Sequence, residues 1–253
     1  MFKKLVIIFA IVFLGFSQVA SALDGNFYFA WGYNREKYSR SDIHYKSNDG
    51  DSVFVVKKAR AHDRSNFSKI WSGALTIPQY NWRLGYFFND ENDLGIEINF
   101  DHTKYVMYNS ETRHVKGTLD GVAHDEKMLV DFFKFEQTNG ANFLMLNGLK
   151  RWRLLDSDAL NHRLSTILRA GFGMVIPKTD STFMGVRDDA PFHISGHIVG
   201  IESSLRYDFF KYGFTELSGK VAFANFTDVL MATGTGHHHF WTLEGILTLG
   251  VQY

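Results

Sequence analysis

The chain has no cysteine, only 3 prolines in 253 residues, and no surplus of either charge, with Lys+Arg and Asp+Glu both at 27. Without cysteine there is no disulfide scaffold and no thiolate metal or redox centre. Balanced charge lacks the basic excess of a nucleic-acid binder, so no nucleic-acid partner is expected. Beyond the N-terminus there is no apolar run of about 20 residues, the length a helix needs to cross a bilayer. Internal repeats, heptads and low-complexity tails are missing too, which leaves one domain.

What is present starts at the two ends. Lys3 and Lys4 precede an apolar run over 5–16 broken only by Gly15, and Ala20-Ser21-Ala22 forms a small-residue cleavage site. That pattern predicts a secretory signal peptide over 1–22, leaving 23–253 as the mature domain. At the other end Trp241, Leu243, Leu247, Leu249, Val251 and Tyr253 are apolar at every second position, with Gly245 as the gap. The alternate set, Thr242, Glu244, Ile246, Thr248, Gly250 and Gln252, is mostly small or polar. A period of two is a strand. One apolar face ending in aromatics, set against a polar one, suits a strand between lipid and a polar lumen. The aromatic content of 16% fits girdles at the two membrane interfaces.

This terminal strand resembles the C-terminal signal that bacterial outer-membrane barrels present to their insertion machinery, carried here by Trp241, Leu247, Leu249, Gly250, Val251 and Tyr253. The resemblance implies a Gram-negative outer membrane as the location. It also implies the insertion machinery, outer-membrane lipid and lipopolysaccharide as partners. The sequence carries no signal for oligomeric state or for a cofactor.

Counting back from the C-terminus, period-two segments fall at 238–253, 213–227, 193–209, 162–175, 141–154, 94–106, 80–88 and 26–38. Short connections at 89–93, 156–161 and 211–213 alternate with long ones at 39–79, 108–140, 178–191 and the Gly/Thr stretch 229–236. Short turns belong on the periplasmic side and long loops outside. The expected fold is therefore all-β, a transmembrane antiparallel barrel of eight strands. If the strand-like Val53-Phe54-Val55-Val56 and a neighbour over 53–69 also cross, the count is ten. The long stretches are expected to be solvated polar loops.

Alternation also names the lumen. It turns Arg83, Arg169, Arg206 and Lys220 inward together with Glu97, Glu202, Glu216 and Glu244. Charges in so narrow a space are costly unless paired. An eight-stranded barrel is only wide enough for side chains to fill, so a salt-bridged plug is expected. A narrow path for ions or small solutes is the alternative.

Two clusters suggest chemistry. His193 and Ser195 stand two apart, placing them on one strand face, where a histidine can activate a serine. They resemble the His-x-Ser-Asn stretch of the outer-membrane lipid A 3-O-deacylases, which implies a lipid A-modifying esterase. Gly196 stands where that family has Asn, two further strands follow, and the nearest acids along the chain, Glu202 and Asp208, fall on the opposite face. His237 and His239 share a face in the run His237-His238-His239 and are candidate metal ligands, though no third ligand accompanies them.

Trp31-Gly32-Tyr33-Asn34-Arg35, Ser41-Asp42-Ile43-His44 and Ile77-Pro78-Gln79-Tyr80-Asn81 resemble an uncharacterised family of bacterial outer-membrane proteins, a resemblance that implies no activity. The favoured expectation is thus a non-enzymatic barrel serving the envelope or surface recognition.

Overall fold

The structure is a computed structural model that describes residues 25–89, 93–157, 162–209 and 211–253. The expected signal peptide and its cleavage site lie outside the described residues, as do 90–92 and 158–161 of the expected short turns. In chain order the strands are β1 (Gly25–Tyr38), β2 (Ser41–Ser47), β3 (Val53–Ala59), β4 (Ala61–His62), β5 (Tyr80–Phe88), β6 (Leu94–Asp101), β7 (Tyr105–Met107), β8 (Thr112–Leu119) and β9 (Val122–Leu129). They continue as β10 (Phe133–Gln137), β11 (Phe143–Ser157), β12 (His162–Val175), β13 (Asp180–Phe183), β14 (Val186–Asp189), β15 (Gly196–Phe209), β16 (Gly213–Met231) and β17 (Gly234–Gln252). The one described helix is a 3-10 turn at Phe67–Ser72.

Eight of these strands close on themselves in the order β1-β5-β6-β11-β12-β15-β16-β17, with β17 pairing back to β1. The closing register runs antiparallel from Tyr28↔Gln252 to Tyr38↔Thr242. Closure leaves no edge in this part of the sheet. Alternation decides what lies on each side. On β17 Leu243, Leu247 and Leu249 are outside, with Leu249 65% exposed, while Thr242, Glu244, Ile246 and Thr248 are buried inside. The residues of the expected insertion signal, Trp241, Leu247, Leu249, Val251 and Tyr253, are all exposed. Gly250 faces inward, where a Cβ would lie 2.1 Å from the Phe214 ring. Glycine there lets β17 approach the ring closely.

The long stretches differ from the expected solvated loops. Residues 39–62, 108–140 and 178–191 carry strands that extend the ring upward as a head, while 63–79 hold no strand and contain the 3-10 turn. β2, β3, β8 and β9 continue the ring sheet from the upper end of β17, and β14-β13-β10-β7-β4 form a second, five-stranded sheet. β2 follows β1 along the same edge of β17, with His237↔His44 and Gly234↔Ser47 in register. β3 pairs with β2 and β8, so Val53-Phe54-Val55-Val56 belongs to this extension and takes no place in the ring. The expected loop at 229–236 is also corrected. β16 and β17 run on to Met231 and Gly234, past a bulge between Phe226 and Val229.

An apolar cluster fills the head. Tyr45, Phe54, Phe133 and Phe183 meet at centroid distances such as 4.6 Å for Tyr45–Phe183 and 5.6 Å for Phe54–Phe133. The cluster descends through Phe226, Phe240 and Phe143 into the mouth of the ring. Burying each such ring contributes about 1.5–3 kcal/mol. That gain orders a segment that polarity alone leaves as loop.

Candidate functional site

The most densely built site is the lumen. Arg83 projects from β5 and Arg169 from β12, between Glu97 on β6, Glu202 on β15 and Glu216 on β16. Arg83 and Arg169 are each 1% exposed. Arg83 donates to both Glu202 oxygens, at 2.6 and 3.1 Å. It also stands 3.6 Å from Glu97 and 3.8 Å from Glu216. Arg169 lies 3.2 Å from Glu97, 3.3 Å from Glu202 and 2.8 Å from Glu216. Two guanidiniums and three carboxylates thus share one cluster. Neutral donors complete it: Tyr28 Oη donates to Glu97 at 2.6 Å and Asn147 Nδ2 at 3.2 Å. Buried charges persist only where pairing and hydrogen bonds offset their desolvation, and bidentate guanidinium–carboxylate pairs are well suited to that.

Lys220 joins this cluster from above, 3.9 Å from Glu202 and 3.7 Å from Glu244. Its nearest partner is Asp101 on β6, which lies outside the expected pairing set. Arg206 stands apart from the expected set. It bonds Asp208 on its own strand at 2.8 Å and the Gln252 side-chain oxygen at 2.6 Å, and its guanidinium lies 3.5 Å from the centre of the Phe214 ring. Asp208 is two residues away on the same face of β15, so it reaches Arg206 before any glutamate does. Glu36 is a buried member the sequence reading passed over. It pairs in register with Glu244 and accepts from Gln79 Nε2. Its signal was the alternation Tyr28, Ala30, Gly32, Asn34, Glu36 along β1, opposite the aromatic face.

The candidate esterase pair is not assembled. β15 begins at Gly196, whose φ is +145°, so His193 and Ser195 precede the strand and share no strand face. Ser195 is 1% exposed, and its hydroxyl donates to the His193 carbonyl at 3.5 Å rather than to the imidazole. Its own carbonyl accepts the Thr227 amide at 2.6 Å, which ties the segment to the β16 bulge. An acid does orient the histidine: His193 Nε2 lies 2.9 Å from Asp228. That partner comes from the neighbouring strand, which inspection along β15 could not supply. The arrangement is a histidine–carboxylate pair without a nucleophile.

His237 and His239 face outward near the top of β17, with His238 turned inward between them. His238 is buried among Tyr105, Phe135, Phe226 and Phe240, and neither ring nitrogen has a hydrogen-bond partner among the described residues. Burial pushes its pKa down to about 3, with the neighbouring His239 and His237 adding to the shift. His237 stacks on His44 of β2, with ring centroids 4.1 Å apart and planes within 13°. Among the described residues no group of three His, Cys, Asp or Glu is arranged to hold a metal ion.

No protein-family model matches the chain, and no curated protein matches its sequence. Similar solved structures include Ail, the attachment invasion locus protein of Yersinia pestis, at 11% identity and a TM-score of 0.35, with 91% of this chain and 100% of that one covered. The outer membrane protein OprG of Pseudomonas aeruginosa is similar at 10% identity and a TM-score of 0.40, covering 91% and 97%. Neisserial surface protein A is similar at 9% identity and a TM-score of 0.34, covering 90% and 95%. At this level of likeness nothing about activity or ligand passes from them to this chain.

Proposed function

We propose that the protein is an integral barrel of the bacterial outer membrane, with eight membrane-spanning strands, a plugged lumen and a folded outer head that serves surface recognition rather than transport or catalysis. The observation that carries this is the pairing of a closed ring, apolar outside and ion-paired inside, with a head that has an apolar core of its own. An apolar outer wall on a closed ring of strands is what a bilayer requires, because every backbone polar group must be satisfied within the protein. Leucines and isoleucines exposed on β6, β15 and β17, with Trp241 above them, supply that wall. Arg83 and Arg169 fill the space a solute would use. A head whose strands bury phenylalanines holds one shape, as a recognition surface must. Outer-membrane lipid and lipopolysaccharide are the neighbours this arrangement meets, and the barrel-insertion machinery is the partner its last strand would engage.

The test joins extraction, electrophoresis and conductance. Carbonate should leave the protein in the membrane, and unboiled samples should migrate differently from boiled ones. Planar bilayers should show no large steady conductance. Release by carbonate without a heat-modifiable band would defeat the barrel, and a steady open pore would defeat the plug.

A further inference from the structure

The outward surface of the head holds a cleft that the lumen and the candidate esterase pair leave unexplained. It is about 370 Å³ in volume and lined by His44, Lys46, Val55, Lys116, Asp228 and His237, among others. Three registers build it. His237 pairs with His44, His44 with Val55, and Val55 with Lys116, so these four stand in one row across β17, β2, β3 and β8. Lys46 lies in the next row, between Thr235 and Val53. The column of β17 that carries Leu249, Leu247, Leu243 and Trp241 on the wall of the ring continues upward as His239 and His237. The cleft therefore stands just above the apolar wall of the ring, where the membrane reading puts lipid headgroups and their sugars.

The side chains choose the ligand. A metal needs ligand lone pairs that converge in the planes of the imidazoles, and rings stacked face to face at 4.1 Å send theirs out in parallel. Two lysines also oppose a cation. Lys116 is 2.9 Å from Asp125, whereas Lys46 has no carboxylate partner among the described residues. Asp228, on the rim, is engaged by His193 at 2.9 Å. What remains is a set of N–H donors, two parallel imidazoles and two ammoniums, bordering an open volume, which suits an anion with several acceptor oxygens. The volume exceeds a bare phosphate and lies within the range of small-ligand sites. Thr227 and Thr235 add hydroxyl-bearing side chains to the lining.

We propose that this cleft binds a phosphorylated saccharide, its phosphate held by the His44–His237 pair with Lys46 and Lys116 and its sugar against Thr227 and Thr235. The proposal rests on the surface-recognition reading above and names its ligand class. It also makes binding proton-dependent. His44 faces His237 and His239 on β17, Lys57 on β3, Asp42 and Lys46 on its own strand and Lys116 on β8. Burial first, then His237 and Lys57, hold its pKa below the ordinary histidine range against the opposing pull of Asp42. A phosphate against the N–H edges of the two rings offsets that repulsion, so affinity rises as pH falls from 7.5 to 6.0.

The experiment is calorimetry on the full purified barrel in detergent, with glucosamine 1-phosphate, glucosamine and inorganic phosphate as probes at both pH values. The sugar phosphate should bind roughly tenfold more tightly than either comparator, the equivalent of about 1.4 kcal/mol. It should bind more tightly at pH 6.0. H44Q, H237Q and K46Q should each lower its affinity by a similar factor while the heat-modifiable band persists. Equal binding of glucosamine, or no effect of these variants, overturns the site. Equal binding of inorganic phosphate overturns the saccharide. Nanodiscs with phosphorylated lipopolysaccharide compete the probe away if the natural source is a lipid headgroup, and leave it bound if the source is a soluble sugar phosphate. Either result is consistent with the site. Carbonate release with binding intact would remove the membrane reading alone, whereas a carbonate-resistant protein that binds none of the probes would remove the site alone.

Discussion

Arg169 in the ring and Phe133 in the head are both almost wholly buried, yet they do opposite work. Around Arg169 three carboxylates lie within 3.3 Å. Around Phe133 lie Tyr45, Phe54 and Phe135. On the membrane reading proposed above the ring faces lipid outside, so its apolar residues are on the wall and its polar residues point inward; the head stands in water, so the order is reversed. The same alternating strand serves both, and the medium outside decides which face is the core. The ion-paired lumen is specific in register but costly in desolvation. The apolar core is tolerant in detail but supplies net stability.

Breaking the lumen should have the largest effect. Glu202→Ala leaves Arg83, Arg169 and Lys220 short of a shared partner and should cost about 3–5 kcal/mol, read as a lower melting temperature of the heat-modifiable form. A melting temperature within a degree of wild type would mean the plug contributes nothing to holding the ring. Phe133→Ala should cost at most a similar amount, about 3–5 kcal/mol, but locally. Hydrogen exchange should rise through β2, β3, β10 and β13 while the gel shift of the ring is kept. Loss of the gel shift would show that head and ring fold as one unit.

A smaller effect separates the cores by pH. His238 in the folded head is held down to about 3 by burial, while the unfolded chain protonates it near 6.5. Between those values the unfolded state binds more protons, so stability falls as pH falls. The loss should be about 2–3 kcal/mol between pH 6.5 and 4.5. His238→Phe should flatten that slope, and an unchanged slope would place the acid sensitivity elsewhere. Smallest of all is Ser195→Ala. With its hydroxyl turned from the imidazole, the substitution should leave lipid A unchanged by mass spectrometry in a host lacking its own modifiers. An acyl chain lost with wild type and retained with the variant would restore the esterase. Topology sharpens the comparison at no energetic cost: Ser68→Cys, on the head, should label with an impermeant maleimide on intact cells. Lys211→Cys, between β15 and β16, should label only after permeabilisation.

Which residues face the lumen is legible from the chain, because pleat alternation is a local property. Arg83, Glu97, Arg169, Glu202, Glu216, Lys220 and Glu244 all lie where period two puts them. Who pairs with whom is not legible. Lys220 meets Asp101 across 119 residues, through a stagger between strands that only closure of the ring defines. Arg206 takes Asp208, a choice between a near acid and a far glutamate that depends on depth in the barrel. The head was hidden for another reason. Asp120-Gly121, at φ of +48° and +75°, is the kind of two-residue turn that marks a hairpin between β8 and β9. Residues 111–127 are so polar on their outward face that net polarity masks it.

The sequence alone therefore determined the faces of the strands, the apolar wall and the charged lining, since each depends on residues one or two apart. Tertiary structure alone decided the pairing inside the lumen, the folding of the outer stretches into a cored head, Asp228 as the partner of His193, and the meeting of His44 with His237. Those depend on which strands become neighbours and in what register. Neighbours and register follow from closing a ring and burying phenylalanines that are far apart in the chain.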